Sequence, residues 1–388
     1  MQTTRVPDAA PPRSVWRTFL LVGTALGITQ LSFYLTSAAL PLYLKDLGAA
    51  QGRIGLEVGL GNATALLATL LLGPVINRYG SERFLRLGGL TYLVTAAGML
   101  LIGQEGAVAF FRALQGIGMA LIMPAALTLG TNLAPERKAT AIGTLGVANT
   151  LGLAIGPPVG LSLYGRSGAI GLFLPAALAS VLGLLSTLLV PAMARPAEQP
   201  LGFGFDRIWI PPLLGNLLFA VYFGGILAYL PLDLRQLHGP NAGIFFTADA
   251  IGVLLLRVPT GILADRSGSF LPKLIGLVIT LPGIGILAFA PSILTLALSG
   301  CATGVGAGLF ITGIMADLSN LSTAVNRGTA MALASASFSA GIFGGSAFSG
   351  VLIGPGGFNS VLLFGAVTCL MAFPFALWRG GSVTETAA

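Results

Sequence analysis

The stretch GPVINRYGSERFLR, residues 73–86, closes an apolar run with Gly73, Asn77, Arg78 and Gly80, then adds Glu82, Arg83 and Arg86. The stretch GILADRSGSFLPK, residues 261–273, repeats the pattern 188 residues later with Gly261, Asp265, Arg266 and Gly268. Only 9% of the chain is charged, so a Gly-x-x-x-(Asn/Asp)-Arg-x-Gly turn used twice points to a duplicated architecture. Two further landmarks keep nearly the same offset. LPLYLKDLG at 40–48 is answered by LPLDLRQLHG at 230–239, and PERKATA at 135–141 by VNRGTAM at 325–331, each displaced by 190.

Composition sets the solvent. The 388 residues are 55% hydrophobic, with a mean hydropathy of +0.89. A soluble domain carries about 25% charged residues, so this chain is built for a bilayer. Its 55 glycines fit that setting, where small residues let helices approach closely. The net charge of +7 is spread singly over short loops and forms no patch, which argues against nucleic acid as a partner. Cys301 and Cys369 sit inside apolar runs, with neither a disulfide framework nor metal-ligand spacing. His238 has no visible co-ligand and reads as a wet loop residue. No metal and no cofactor is expected.

A membrane helix needs about 20 mainly apolar residues. Charges, Pro and Gly divide the chain into spans near 17–41, 53–76, 84–103, 107–131, 139–164, 169–191, 210–235, 241–263, 270–290, 293–318, 328–353 and 358–378. The apolar stretch after Arg5, Arg13 and Arg17 is too long for the core of a signal peptide and is expected to be an uncleaved first helix. The expected organisation is a tail at 1–16, a six-helix half at 17–191, a linker at 192–209, a second half at 210–378 and a tail at 379–388. With the N-terminus inside, fourteen Lys and Arg fall on inner segments and four (Lys45, Arg53, Arg166 and Arg235) on outer ones. The positive-inside rule therefore puts both termini in the cytoplasm, in a cell or inner membrane. A parallel duplication of six-helix units is the signature of a large class of secondary transporters.

On these residues the chain resembles the major facilitator superfamily over roughly 15–380. The turns at Gly73–Gly80 and Gly261–Gly268 look like that family's signature loop and its second copy. RALQGIG, residues 112–118, is similar to the fourth-helix motif, and GLAIGPPVG, residues 152–160, to the fifth-helix motif with Gly152, Gly156, Pro157, Pro158 and Gly160. The second half keeps Gly350 opposite Gly160 without the Pro pair. The resemblance implies an all-α fold of twelve transmembrane helices in two pseudo-twofold halves. It also implies a drug:proton antiporter type, with the signature turns as conformational latches. The first turn departs from the family in having Asn77 where Asp is usual, so its latch is expected to be the weaker. The glycines at 152, 156 and 160 form one close-packing stripe, and two consecutive prolines remove backbone donors and favour a kink. That helix is expected at the interface between the halves.

Ionisable residues inside spans are functional candidates by default. Arg112 begins a face with Gln115, Met119 and Met123, and the resemblance links this Arg to proton coupling. Asp249 lies twelve residues before Gly261, about 18 Å from the inner turn. A carboxylate withdrawn from water favours its protonated form, so Asp249 is the first candidate for proton coupling. Glu57, near an outer helix end, is the second; its plain alternative is a wet helix-end residue. Asp317 reads as a gate or loop contact. In the fold implied, helices 1, 4, 7 and 10 line a cavity. Gln30, Phe33 and Tyr34 supply its wall from the first helix, together with Arg112, Gln115, Met119 and Met123 from the fourth. Asn216, Phe219, Tyr222 and Phe223 come from the seventh, and Phe310, Thr312 and Met315 from the tenth. Each has packing as its simpler reading. Such a wall suits a lipophilic or amphipathic small molecule.

The expected function is proton-coupled efflux by alternating access, in a monomer whose partners are protons, a small-molecule substrate and the lipid bilayer. Export or symport of a polar metabolite such as a sugar or amino acid is the alternative. An intramembrane enzyme is disfavoured, because Asp249 in TADAIG and Asp317 in MADLSN match no paired-aspartate motif. A nucleotide-driven pump is disfavoured by the lack of a phosphate-binding Gly-x-x-x-x-Gly-Lys-(Ser/Thr) loop.

Overall fold

The computed structural model describes residues 13–134, 138–192, 205–289, 291–322 and 326–378, with the backbone alone at 73–79, 138–140, 261–267 and a few further helical positions. A bilayer offers the backbone no hydrogen-bonding partner, so each spanning segment must satisfy its own N–H and C=O groups as a helix. The elements are α1 (Arg13–Ser37), α2 (Leu40–Asp46), α3 (Gln51–Tyr79), α4 (Ser81–Leu101), α5 (Glu105–Leu133) and α6 (Lys138–Leu188) in the first half. A short 3-10 turn at Arg207–Trp209 leads into α7 (Ile210–Gln236), α8 (Gly243–Ser267), α9 (Phe270–Ile286), α10 (Ile293–Asn320), α11 (Arg327–Met371) and α12 (Phe373–Leu377). There is no strand among the described residues.

Two of these helices are double. α6 breaks at Gly168 (φ 57°, ψ −140°) and α11 at Gly357 (φ 62°, ψ −164°). α2 extends α1, and α12 extends α11. Divided in this way the helices form six rods in each half. Among the described residues nine helices are long and apolar enough to cross a membrane, and the 143–188 stretch counted as one of them holds two rods. Large apolar side chains such as Leu71, Leu101, Phe289 and Val351 remain exposed, as a lipid-facing surface requires.

The backbone carries the duplication in detail. The positive-φ residues pair off between halves: Gly48 with His238, Gly80 with Gly268, and Gly168 with Gly357. The first pair ends its helices with the same hydrogen bonds, Gly48 N to Lys45 O and Ala49 N to Leu44 O against His238 N to Arg235 O and Gly239 N to Leu234 O. His238 thus occupies a left-handed position where the first copy has glycine. Gly80 (φ 97°) and Gly268 (φ 77°) end α3 and α8, where a side chain would be strained.

Within the halves, α1 packs along α6 and α7 along α11, while α8 and α9 pack on α10 and α3 and α4 on α5. Between the halves, α3 lies on α11 and α6 on α8. The fifth-helix motif departs from expectation here. Its glycines face the first helix of their own half: a Cβ at Gly156 would stand 2.5 Å from the Tyr34 Cβ, and one at Gly160 2.0 Å from the Leu35 carbonyl oxygen. Only the opposite edge of the motif meets the other half, where a Cβ on Gly243 would lie 2.2 Å from the Pro158 Cα. A stripe spaced by four residues covers one face of a helix, so it cannot serve both neighbours. The backbone also stays helical through Pro157 and Pro158, and the break comes at Gly168.

Candidate functional site

Arg112 enters from α5 and is fully buried. Its Nη1 donates to Gln115 Oε1 at 2.6 Å and Ser37 Oγ at 3.2 Å, and its Nη2 donates to the Val58 carbonyl at 3.2 Å. The guanidinium carbon lies 4.8 Å from the centroid of the Phe33 ring, a cation–π arrangement. Among the described residues no carboxylate pairs with it. The charge is held by neutral dipoles and one aromatic face, contributed by α1, α3 and α5. Gln115 therefore supports Arg112, while Met119 and Met123 pack against the core of the first half.

A second polar group adjoins it. Gln30 donates to Asn149 Oδ1 at 2.5 Å and accepts from the Tyr92 hydroxyl at 3.1 Å. Tyr34 lies against Asn149. Sequence reasoning found Gln30 and Tyr34 but passed over Asn149 and Tyr92, which sit on the fifth and third spans. Their signal was present as an amide and a phenol inside apolar runs.

Asp249 comes from α8 in the second half and is buried. Its Oδ1 accepts from the Thr303 hydroxyl of α10 at 2.9 Å. The approach depends on Gly304, where a Cβ would stand 2.0 Å from the Asp249 carbonyl oxygen. The carboxyl is close enough to Tyr34 of the first half and Tyr222 of α7 to act electrostatically on both. No cation pairs with it among the described residues. Arg257, two turns further along α8, instead donates to Thr150 Oγ1 of α6 at 3.4 Å and fits over Gly146, so it spans the boundary between halves.

The other candidates separate. Glu57 is buried, not wet, and its Oε1 accepts from Arg53 Nε at 2.9 Å. Asp317 is buried with Lys273, whose Nζ also reaches the Trp378 carbonyl, and with Ser269, which ties the ends of α9, α10 and α12 together. Phe219 and Phe310 stack at 4.3 Å inside the large buried core that runs through both halves. Asn216 donates to the Ala334 carbonyl and to Ser337 Oγ on α11, both at 2.9 Å. Tyr222 meets Phe219 and Phe223 edge-on, and Phe223 and Met315 pack partly buried against the same core. Thr312 is partly buried on α10. The side chains of Asn77 and Arg78, and of Asp265 and Arg266, lie outside the described residues. The backbone at 73–79 and 261–267 completes α3 and α8, which Gly80 and Gly268 end.

Two six-helix halves, one with a buried Arg and the other with a buried Asp that meet no opposite charge among the described residues, define a membrane carrier. The family model of the Major Facilitator Superfamily matches residues 22–241 and 212–387, and the chain belongs to that superfamily. It is 27% identical over 337 residues to an uncharacterized MFS-type transporter of Salmonella typhimurium, covering 82% of this chain and 85% of the relative. It is 26% identical to the staphylopine export protein of Staphylococcus aureus, over 72% of this chain and 76% of that one. A multi-drug resistance efflux pump PmrA homolog of Lactococcus lactis is 25% identical, over 75% and 76% of the two chains. Among solved structures, a bacterial homolog of the human lysosomal transporter Spinster superposes with a TM-score of 0.78 at 15% identity, over 95% of this chain and 97% of that one. The nucleoside transporter NupG gives 0.78 at 15% identity, over 93% and 100%. The protein is a multi-pass membrane transporter of this fold.

Proposed function

We propose that the protein is a proton-coupled exporter of a small lipophilic or amphipathic compound, with Asp249 as the proton carrier. The observation that carries this reading is the placement of Asp249. It is a buried carboxylate, paired with a hydroxyl and, among the described residues, not with a cation, on the helix that faces the other half. Such a group can gain and lose its charge as the halves rock, and each protonation state favours a different conformation. Arg112 has the complementary part, a fixed charge that organises α1, α3 and α5 around Phe33 and Gln115. Glu57 is a poorer carrier, because Arg53 already neutralises it. The relatives named as a multidrug efflux pump and a staphylopine exporter support the direction of transport. The arrangement goes with an inner-membrane monomer with both termini in the cytoplasm.

The polar group of Gln30, Asn149 and Tyr92 favours a second reading, in which the cargo is a polar metabolite hydrogen-bonded by those amides. Purified protein in liposomes carrying a pH-sensitive dye tests both. Lipophilic cations, neutral drugs, sugars and amino acids are presented in turn to the parent and to Asp249→Asn. Proton flux evoked by lipophilic compounds and lost in Asp249→Asn is the expected result. Flux evoked only by sugars or amino acids supports the second reading. Substrate movement without proton flux removes the proton-coupled assignment.

A further inference from the structure

The repeated segments 40–48 and 230–239 take no part in handling protons or substrate as described above. They end α2 and α7 in the same fold and the same register, so Lys45 matches Arg235 and Asp46 matches Gln236. With glutamine in both copies, the basic residue of each half would meet only a neutral amide of the other. The copies differ at one decisive place, because Asp46 stands where the second copy has the neutral Gln236.

The consequence is a fork of hydrogen bonds across the two halves. Arg235 Nη1 donates to Asp46 Oδ2 at 2.9 Å, and Nη2 to Oδ1 at 2.5 Å. The Tyr164 hydroxyl donates to the same carboxylate from the outer part of α6. Of the ion pairs among the described residues, Arg53–Glu57 lies within one helix and Lys273–Asp317 within one half; Arg235–Asp46 joins the halves. Around it the same end of the bundle is tightly closed. Tyr229 of α7 donates to the Gln51 carbonyl at the start of α3 at 2.8 Å, and Asn241 donates to Ser162 Oγ at 2.9 Å.

We propose that Asp46, Arg235 and Tyr164 form an outer lock, a charge pair between the two halves that holds this end shut and breaks each time it opens. The proposal rests on the alternating-access reading. Its chemistry suits a reversible device. A bidentate Arg–carboxylate pair is directional, and at partial exposure it is weak enough to be broken in every cycle. The duplication explains its position, since the matching helix ends of both halves meet near the pseudo-twofold axis. The single charge change at position 46 turns what would be a contact with a neutral amide into an ion pair.

The test uses full-length protein in lipid with Cys301 and Cys369 replaced by alanine. Nitroxide labels go at Gln104 and Asn359, both exposed beyond the outer ends of their halves. Pulsed electron paramagnetic resonance then reads the outer distance in the parent, Asp46→Asn, Arg235→Gln, Tyr164→Phe and the exchange Asp46→Arg with Arg235→Asp. Each single neutralisation is expected to raise the outward-open population about two- to five-fold, Tyr164→Phe less, and the exchange to restore it. Single variants that keep the parent's distances overturn the lock. Widening that the exchange does not reverse overturns its charge basis. The parent's own response to substrate and pH tests alternating access separately. A parent that responds while the neutralised variants match it removes the lock alone, whereas a parent that never responds removes the reading beneath it.

Discussion

Gly55→Ala should push the transporter towards its outward-open state. Gly55 sits on α3 where that helix crosses α11, and a Cβ there would stand 2.2 Å from the Ser346 carbonyl oxygen and 2.4 Å from the Tyr229 hydroxyl. The hydroxyl can swing aside, but the carbonyl is fixed in its helix. Reaching an ordinary contact of 3.4 Å requires the helices to part by about 1.2 Å. An extra methyl in a packed contact costs about 1–3 kcal/mol. Because α3 and α11 belong to different halves, separating the outer ends relieves that strain without unfolding either half. At about 1.4 kcal/mol per factor of ten, the outer-closed state should lose roughly 5- to 150-fold in relative population. Distances between labels at Gln104 and Asn359 read the shift. Gly160→Ala is the matched control: its Cβ would meet the Leu35 carbonyl oxygen at 2.0 Å, but α1 and α6 belong to the same half. That variant should lower the melting temperature and leave the outer distance unchanged. Gly55→Ala with a normal melting temperature and an unchanged distance would refute the claim that α3 and α11 form a closing surface.

Two further outcomes are expected, one from a named ion pair and one from a sequence motif. Lys273→Met leaves Asp317 buried without its cation, which should cost about 3–5 kcal/mol and lower the thermal midpoint in detergent, while adding Asp317→Leu should recover most of the loss; a single variant as stable as the parent would contradict the pairing. The latch expected from the sequence at the first signature turn predicts that Asn77→Asp raises the inward-closed fraction, read from label distances across that face, and an unaltered ratio would count against a latch at that turn.

Much of this site was visible as residue types and not as partnerships. Arg112 and Asp249 stood out because a charge in an apolar run is costly wherever it points. Thr303 did not, because a lone hydroxyl in a membrane helix satisfies itself on its own backbone, as Thr303 also does with the Ser299 carbonyl at 3.0 Å. Glu57 read as a wet helix end because the sequence cannot say whether an outer turn is covered. Phe219 and Phe310 read as cavity wall because period alone does not separate a face turned to a cavity from one turned to a neighbouring helix.

The sequence alone determined the solvent, the helical class, the duplication and the places where the chain turns. Each of these follows from the order of residues along the chain: continuous apolar length, spacing of glycines, and motifs at a constant offset. Even the left-handed turns at Gly80 and Gly268 were implied, since a tight turn between two helices needs a residue without a Cβ. The tertiary structure decided which faces meet. It turned Gly152, Gly156 and Gly160 to α1, set Pro158 against Gly243, placed Arg235 on Asp46 and gave Asp249 a hydroxyl for its partner. These outcomes depend on helix rotation, crossing and relative height between segments more than a hundred residues apart, which a linear pattern does not encode.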